Sequence, residues 1–302
     1  MEDLKGILKR HQFSCKKQYG QNFISDQNLL KSIVSLADVD GNTSVVEIGC
    51  GAGTLTRELS LVAKRVIAYE IDVTLRPVLE ETLRGCENTE VVFLDFEKVN
   101  LPEMEKELGE YVVVANLPYY ITSPLIMRFL EEAKSVLRIV IMVQEEVAER
   151  LCARENTPEY GAITANVALR AEAKIVKRVP RDMFYPRPQV DSAVVRMDFC
   201  EGRISVRDPD LYRKAVRCAF MNRRKTLENN LIGYFGVSRE TAQEILQTAG
   251  IAPQARGETL SPEGFAVLSD VLSQKGVAVR SGDSRAGRRS SGREKKINQQ
   301  KE

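Results

Sequence analysis

The sequence predicts an α/β chain: a doubly wound, Rossmann-like sheet followed by a small all-helical domain. Three observations carry this. Short apolar runs rich in β-branched residues, at 44–48, 66–70, 91–94, 112–115 and 137–143, alternate with helix-period stretches, and such alternation builds a parallel sheet with helices on both faces. The first run passes directly into Gly49-Cys50-Gly51-Ala52-Gly53 and then a helix beginning near Thr54. Strand, glycine turn, helix is the opening of a nucleotide-binding βαβ unit. From about Gly202 the strand signals stop and four helix patterns follow.

The chain of 302 residues, 43% hydrophobic, can bury two cores. The expected division is a flexible N-terminus over 1–13, a nucleotide-binding domain over 14–201, a small helical domain over 202–275, and a disordered basic tail over 276–302. That tail holds eight Lys/Arg against three Asp/Glu, a net +5 in a chain whose total is +2, so the remainder is at −3. Any nucleic-acid surface on the folded body is therefore a local patch. No apolar run is long enough to span a bilayer and no apolar leader precedes the first strand, so a cytoplasmic protein is expected. Six cysteines without a Cys-x-x-Cys pair point to reduced thiols and no metal site. The single histidine, His11, reads as a solvated side chain, and a His-based triad is excluded.

Taken in order, residues 16–24 (Lys-Lys-Gln-Tyr-Gly-Gln-Asn-Phe-Ile) crowd charges, amides and an aromatic around a glycine. They read either as a charged loop or as a segment lying over a ligand. Asp26 caps the next helix. The glycine loop is Gly-x-Gly-x-Gly preceded by Glu47. That form suits a nucleoside without phosphates, such as S-adenosylmethionine, better than a pyrophosphate. The glycines let backbone approach the ligand where a Cβ would intrude. The second strand ends on Glu70, 17 residues beyond Gly53, where a carboxylate can accept both ribose hydroxyls. Asp72 is its nearby competitor, and a surface acid is the plain alternative. The third strand ends at Asp95, which can accept an adenine amino group beside Leu94 or Phe96, or else simply cap the following turn.

The fourth strand ends on Asn116-Leu117-Pro118-Tyr119. An amide, a rigid Pro and an aromatic ring at a strand's carboxyl end suit a flat heterocycle bearing an amino group. An ordinary turn is the plain alternative. Ser123-Pro124 reads as the start of a helix, 145–153 as helix, and 163–176 and 192–199 as the sixth and seventh strands, the last one antiparallel. Between them Phe184-Tyr185-Pro186-Arg187-Pro188 is a stiff loop from which Phe184 or Tyr185 can clamp a base opposite Tyr119. In the helical region, Arg223-Arg224-Lys225 forms the best basic patch on the folded body, suited to phosphates.

Five ordered motifs now stand together: Gly20-Gln21-Asn22-Phe23; Glu47-Ile48-Gly49-x-Gly51-x-Gly53; Glu70-Ile71-Asp72; Asn116-Leu117-Pro118-Tyr119-Tyr120-Ile121-Thr122-Ser123-Pro124; and Phe184-x-Pro186-x-Pro188-x-Val190-Asp191-Ser192-Ala193. Over about residues 14–275 the chain resembles the rRNA adenine N6,N6-dimethyltransferase family, and within it the branch acting on small-subunit rRNA. The resemblance implies a seven-stranded class I methyltransferase sheet and S-adenosylmethionine as cofactor. It implies cofactor contacts at Asn22, Ile24, Gly49, Glu70, Asp95 and Asn116, with Gly51 in the same loop. It places the methyl-accepting base against Asn116, Leu117, Pro118 and Tyr119, with RNA also touching Phe184 and the Arg223–Lys225 patch. The implied substrate is a pair of adjacent adenosines in a hairpin loop near the 3′ end of 16S rRNA, within a small-subunit assembly intermediate. A monomer without metal is expected. Cys50 and Phe96 depart from the family's usual Pro and Ala, and the basic tail is not part of its core. The rival readings are a large-subunit (23S) rRNA adenine methyltransferase of the macrolide-resistance type and a mainly non-catalytic small-subunit assembly factor.

Overall fold

The computed structural model describes residues 4–16, 19–118 and 121–277. The chain divides into two compact units at residues 205 and 206.

The first unit is built on a sheet. In chain order its elements are α1 (Leu4–Arg10), β1 (Phe23–Ile24), α2 (Gln27–Ala37), β2 (Ser44–Ile48), α3 (Thr54–Ser60), β3 (Arg65–Glu70), α4 (Arg76–Thr82), β4 (Thr89–Phe93), α5 (Leu101–Leu108), β5 (Tyr111–Asn116), α6 (Thr122–Glu132), β6 (Val136–Gln144), α7 (Glu145–Leu151), α8 (Ala162–Arg170), β7 (Ala171–Val179), β8 (Phe184–Tyr185) and β9 (Ser192–Phe199). Seven strands pair in the order β4-β3-β2-β5-β6-β9-β7. The first five are parallel, and β9 runs antiparallel to both β6 and β7. Strand order reverses between β2 and β5, so the crevice at their carboxyl ends is where a ligand fits.

The central strands read as unbroken apolar runs because both faces are covered. Val46, Ile48, Val113 and Ala115 face one core with Phe129 and Leu130 of α6. Val45, Val112 and Val114 face the other, with Leu30 and Ile33 of α2 and Leu55 and Leu59 of α3. Burying each such side chain contributes about 1.5–3 kcal/mol, which is what holds the strand ends in fixed register.

The second unit comprises α9 (Pro209–Met221), α10 (Leu227–Phe235), α11 (Arg239–Thr248) and α12 (Pro262–Gln274). Asp208, Thr226, Ser238 and Ser261 cap them, each accepting from a backbone N–H in the first turn. Its core gathers Tyr212, Val216, Leu231, Ile245, Phe265 and Leu268, all buried.

Several expectations change. The N-terminus is not a loose lead-in from residue 4 onward: Leu4, Ile7 and Leu8 share one face of α1 and pack with Leu75, Val78 and Leu79. His11 is not simply solvated, because its Nε2 lies 2.5 Å from Glu81 Oε2, and Arg10 also pairs with Glu81. Residues 163–170 are helix, not strand. A short apolar run fits either element, and here Gly161 N–H donates to the Thr164 hydroxyl, which donates to the Arg150 carbonyl, fixing a helical start. The strand begins only at Ala171. Helix α6 starts before Ser123, since the Ile121 N–H and the Thr122 hydroxyl already close on the Pro118 carbonyl. Pro124 is tolerated in that first turn, where backbone N–H groups lack intrahelical partners. Helix α10 starts at Leu227, leaving Arg224 and Lys225 in the preceding turn. Leu137 in β6 is 45% exposed, so that strand is not buried throughout.

Candidate active site at the carboxyl ends of the strands

At the end of β2 the chain turns sharply. Gly49 N–H and Cys50 N–H both donate to the Tyr69 carbonyl, folding the loop over β3. Gly49, Gly51 and Gly53 all have positive φ, at 71°, 55° and 79°. Gly51 is the decisive one: a Cβ there would stand 2.8 Å from the Phe23 ring. Only glycine lets residues 19–24 pass this close.

The result is a cleft of about 350 Å³, lined by residues 19–24, the glycine loop, 69–71, 94–97 and 116–118. That volume is at the lower end for small-molecule sites. Glu70, 5% exposed, accepts from Gly51 N–H at 2.8 Å and from Asp72 N–H at 2.8 Å. A carboxylate has about four acceptor positions, so Glu70 keeps capacity for a ligand's hydroxyls. Burial raises its pKa, and the backbone bonds offset this only in part. Glu47 lines the same cleft, and its Oε2 is buried with no hydrogen-bond partner among the described residues. Burial pushes its carboxyl up to about 8, opposed by the Thr56 hydroxyl and reinforced by Glu70. An orphaned, poorly solvated carboxyl aimed at a cleft is the kind of group a cationic or hydrogen-bonding ligand would satisfy.

Asp95 caps the following turn, its Oδ1 accepting from Glu97 N–H at 3.1 Å, and also lines the cleft. Beside it Phe96 lies edge-on to Tyr69 at 5.0 Å and stacks on Phe129 at 5.8 Å, giving the cleft an aromatic floor.

Asn116 ends β5. Its Nδ2 donates to the Asn22 carbonyl at 2.8 Å, which orients the amide and leaves Oδ1 as the acceptor. Asn22 Nδ2 in turn donates to the Gly20 carbonyl. Pro118's carbonyl already accepts from Ile121 N–H and the Thr122 hydroxyl, while Leu117 N–H donates to the Met142 carbonyl. The Pro118 carbonyl is thus already engaged in starting α6. Ile24 lies in β1, 2% exposed, and its carbonyl accepts from the Thr54 hydroxyl.

The structure brings Asn22, Ile24, Gly49, Gly51, Glu70, Asp95, Asn116, Leu117 and Pro118 to one cleft. Tyr119 lies outside the described residues, as do Tyr120, Lys17, Gln18 and the basic tail from residue 278. Phe184 is not an open stacking face. It pairs with Ile24 through the β1–β8 ladder and packs in the core, 5% exposed, whereas Tyr185 is 40% exposed with Lys5 Nζ 4.9 Å from its ring centre. Arg223, Arg224 and Lys225 are exposed in the turn between α9 and α10 of the second unit.

A family model described as ribosomal RNA adenine dimethylase matches residues 12–274. The chain belongs to the ribosomal RNA adenine dimethylase family. It is 42% identical over 275 residues to the ribosomal RNA small subunit methyltransferase A of Clostridioides difficile, covering 90% of this chain and 95% of that one. It is 43% identical over 276 residues to the enzyme of the same name from Geobacillus thermodenitrificans, covering 89% and 94%. Among solved structures, a dimethyladenosine transferase from Plasmodium falciparum superposes with a TM-score of 0.73 at 27% identity, covering 83% of this chain and 98% of that one. The 23S rRNA methyltransferase ErmE superposes at 0.64 and 29% identity, covering 83% and 100%. The dimethylase is thus an rRNA adenine methyltransferase with the seven-stranded class I sheet. Among the described residues, no group of acidic, Cys and His side chains could hold a metal, and no helix is long and apolar enough to cross a membrane.

Two parts of the dimethylase's site escape sequence reading. Asp72, the competitor to Glu70, does not face the cleft. Its side chain is 2% exposed and accepts from Lys16 Nζ at 2.7 Å, Gln21 Nε2 at 3.0 Å and the Thr74 hydroxyl at 2.6 Å. Lys16 and Gln21 stand in a polar cluster whose partner lies more than 50 positions away. Glu47's orphaned oxygen is likewise invisible without knowing what surrounds it.

Proposed function

We propose that the chain transfers methyl groups from S-adenosylmethionine to N6 of two adjacent adenosines in a hairpin loop near the 3′ end of 16S rRNA, giving N6,N6-dimethyladenosines on a small-subunit assembly intermediate. The observation that carries the reading is Asn116 at the end of β5, whose Nδ2 is taken by the Asn22 carbonyl, so that Oδ1 would be the atom to accept from an acceptor amine.

The cleft fits the cofactor. The orphaned Glu47 oxygen, the Glu70 carboxylate and the glycine cradle suit a cationic nucleoside with free ribose hydroxyls and no phosphates. Glu70 would hold the ribose, Asp95 the adenine amino group above the Phe96 floor, and Asn22, Ile24, Gly49 and Gly51 would supply backbone walls. When bound, S-adenosylmethionine supplies an activated methyl group on a sulfonium.

The chain's own residues do the rest by placement. An exocyclic adenine amine is a weak nucleophile because its lone pair is delocalised into the ring. Asn116 Oδ1 and the Leu117 carbonyl would accept the N6–H bonds and favour a pyramidal nitrogen, whose lone pair is out of conjugation with the ring and available for attack. As nitrogen gains positive charge these bonds strengthen, which is selective stabilisation of the transition state. Holding the amine in line removes an orientation cost of several kcal/mol. The surplus proton leaves to water, so no strong base is needed. A second transfer requires space around N6 for the first methyl group. Tyr119 would stack on the extruded base, a contact worth about 1–3 kcal/mol in single-strand binding. Arg223, Arg224 and Lys225 would hold phosphates. We assign action as a monomer in the cytoplasm.

The likeness to ErmE makes the large subunit the specific rival, while the names carried by relatives at 42–43% identity favour the small one. The deciding experiment is transfer of label from S-adenosylmethionine to undermethylated ribosomal subunits, with the modified bases mapped. Label on two adjacent adenosines of small-subunit RNA is the expected result, and label on large-subunit RNA would overturn it.

A further inference from the structure

The acid at residue 72 has no place in the chemistry above, yet it is the most heavily bonded carboxylate near the cleft. One oxygen accepts from Lys16 Nζ, the Thr74 N–H and the Thr74 hydroxyl, at 2.7, 3.1 and 2.6 Å, and the other accepts from Gln21 Nε2 at 3.0 Å. Gln21 is held from its other end as well, since its Oε1 accepts the Lys16 backbone N–H at 2.7 Å. Burial works against the charged form of Asp72, and the bonds from Lys16, Thr74 and Gln21 outweigh it, keeping the carboxyl below its usual range. The segment fastened here continues into Asn22, whose carbonyl takes the Asn116 amide. On the other side, Asp72 N–H donates to Glu70, which also accepts Gly51 N–H.

One bonded path therefore runs from the end of β3 to the end of β5 across the cleft mouth: Gly51, Glu70, Asp72, Gln21, Asn22, Asn116. We infer that Asp72 is a positioning residue that couples the two ligand sites, so that a ligand seated on Glu70 and residues 19–24 fixes the Asn116 amide for the acceptor base. The inference rests on the function proposed above. Without the clasp, residues 19–24 keep β1 and the Asn22–Gly20 bond but lose the side-chain tie that fixes Gln21, and with it the neighbouring Asn22 carbonyl, against the end of β3. Coupling of this kind is reciprocal: the acceptor RNA must tighten the cofactor site by the same factor.

The test measures S-adenosylhomocysteine affinity by calorimetry with and without saturating undermethylated small subunits, for wild type, Asp72→Asn and Gln21→Ala. Asp72→Asn keeps an oxygen for the Thr74 cap while losing the charge that holds Lys16. Gln21→Ala leaves Asp72 and its turn intact and so guards against a folding defect. Expected is a tightening of at least about fivefold in wild type, abolished in both variants, with kcat falling more than KM for the cofactor rises. A general structural role would lower thermal stability and leave the coupling factor where it was. Variants that retain the wild-type factor overturn the inference alone. A wild-type chain that labels no small-subunit RNA overturns the proposed function and this inference with it.

Discussion

The two walls of the cleft handle polarity in opposite ways. The wall at the ends of β2 and β3 carries carboxyls, Glu47 and Glu70, buried to 1% and 5% exposure and pushed upward in pKa by that burial. The wall at the end of β5 carries no ionisable side chain over residues 116–118, only an amide and carbonyls fixed by hydrogen bonds. A buried carboxyl is costly unless a ligand completes it, so the first wall is built to be satisfied by something bound. Neutral acceptors cost less to hold in place and cannot be protonated, so the second wall is built to hold geometry. Asp72 sharpens the contrast, since it lies two residues beyond Glu70 and equally deep. Its partners are all protein groups, and its pKa moves down instead of up.

If the β5 wall acts through geometry, its loss should be the most damaging. Asn116→Ala should lower kcat for methyl transfer by about 10²–10³-fold, as for the removal of one transition-state hydrogen-bond partner. Binding of small-subunit particles should be unchanged. Persistent transfer in single-turnover assays would show that the amide is not the acceptor clamp, and normal binding without transfer would separate catalysis from a pure assembly role.

The β3 wall should fail differently. Glu70→Ala removes the acceptor for two backbone N–H groups and for the ribose. Cofactor affinity should fall about 10–100-fold, the loss expected for hydrogen bonds to a charged group. Saturating S-adenosylmethionine should restore cofactor occupancy, and a wild-type cofactor affinity in this variant would show that Glu70 does not hold the ribose.

The last effect is a pH signature in the stability of the ligand-free protein. Glu47 has a folded pKa of about 8 against an ordinary 4.5. A raised folded value means its contribution is full below the unfolded value and lost as pH rises towards the folded one. Thermal unfolding should therefore show wild type losing stability relative to Glu47→Gln between those limits, by at most about 1.4 kcal/mol per pH unit. Asp72 has the opposite sign: its contribution is present above the ordinary value of 3.8 and lost as pH falls through its lower folded value. Parallel curves for wild type and Glu47→Gln across neutral pH would show that Glu47 is solvated after all.

The strand positions, the glycine loop and the acids at strand ends were legible because they follow from periodicity and local stereochemistry. Alternation of β-branched runs with helical stretches specifies a parallel sheet, and the positive φ of the turn after β2 favours glycine. Local rules also misled in places. Residues 163–170 carry enough β-branched character to read as strand, yet a Thr164 bond to Arg150 makes them helix. Phe184 sits in a proline-rich loop that looks exposed, and pairing with Ile24 draws it into the core.

The sequence by itself determined the fold class, the family resemblance and which residues carry polar chemistry, since each is encoded within a few neighbouring positions. Only the tertiary structure put Glu70 and not Asp72 in the cleft lining, joined Gln21 to Asp72 and Asn22 to Asn116, and left a Glu47 oxygen without a hydrogen-bond partner among the described residues. Those are facts about partners 51 and 94 positions apart in the chain and about the burial of a carboxyl oxygen. Hydrogen bonding and desolvation depend on what lies within a few ångströms, and folding alone sets that.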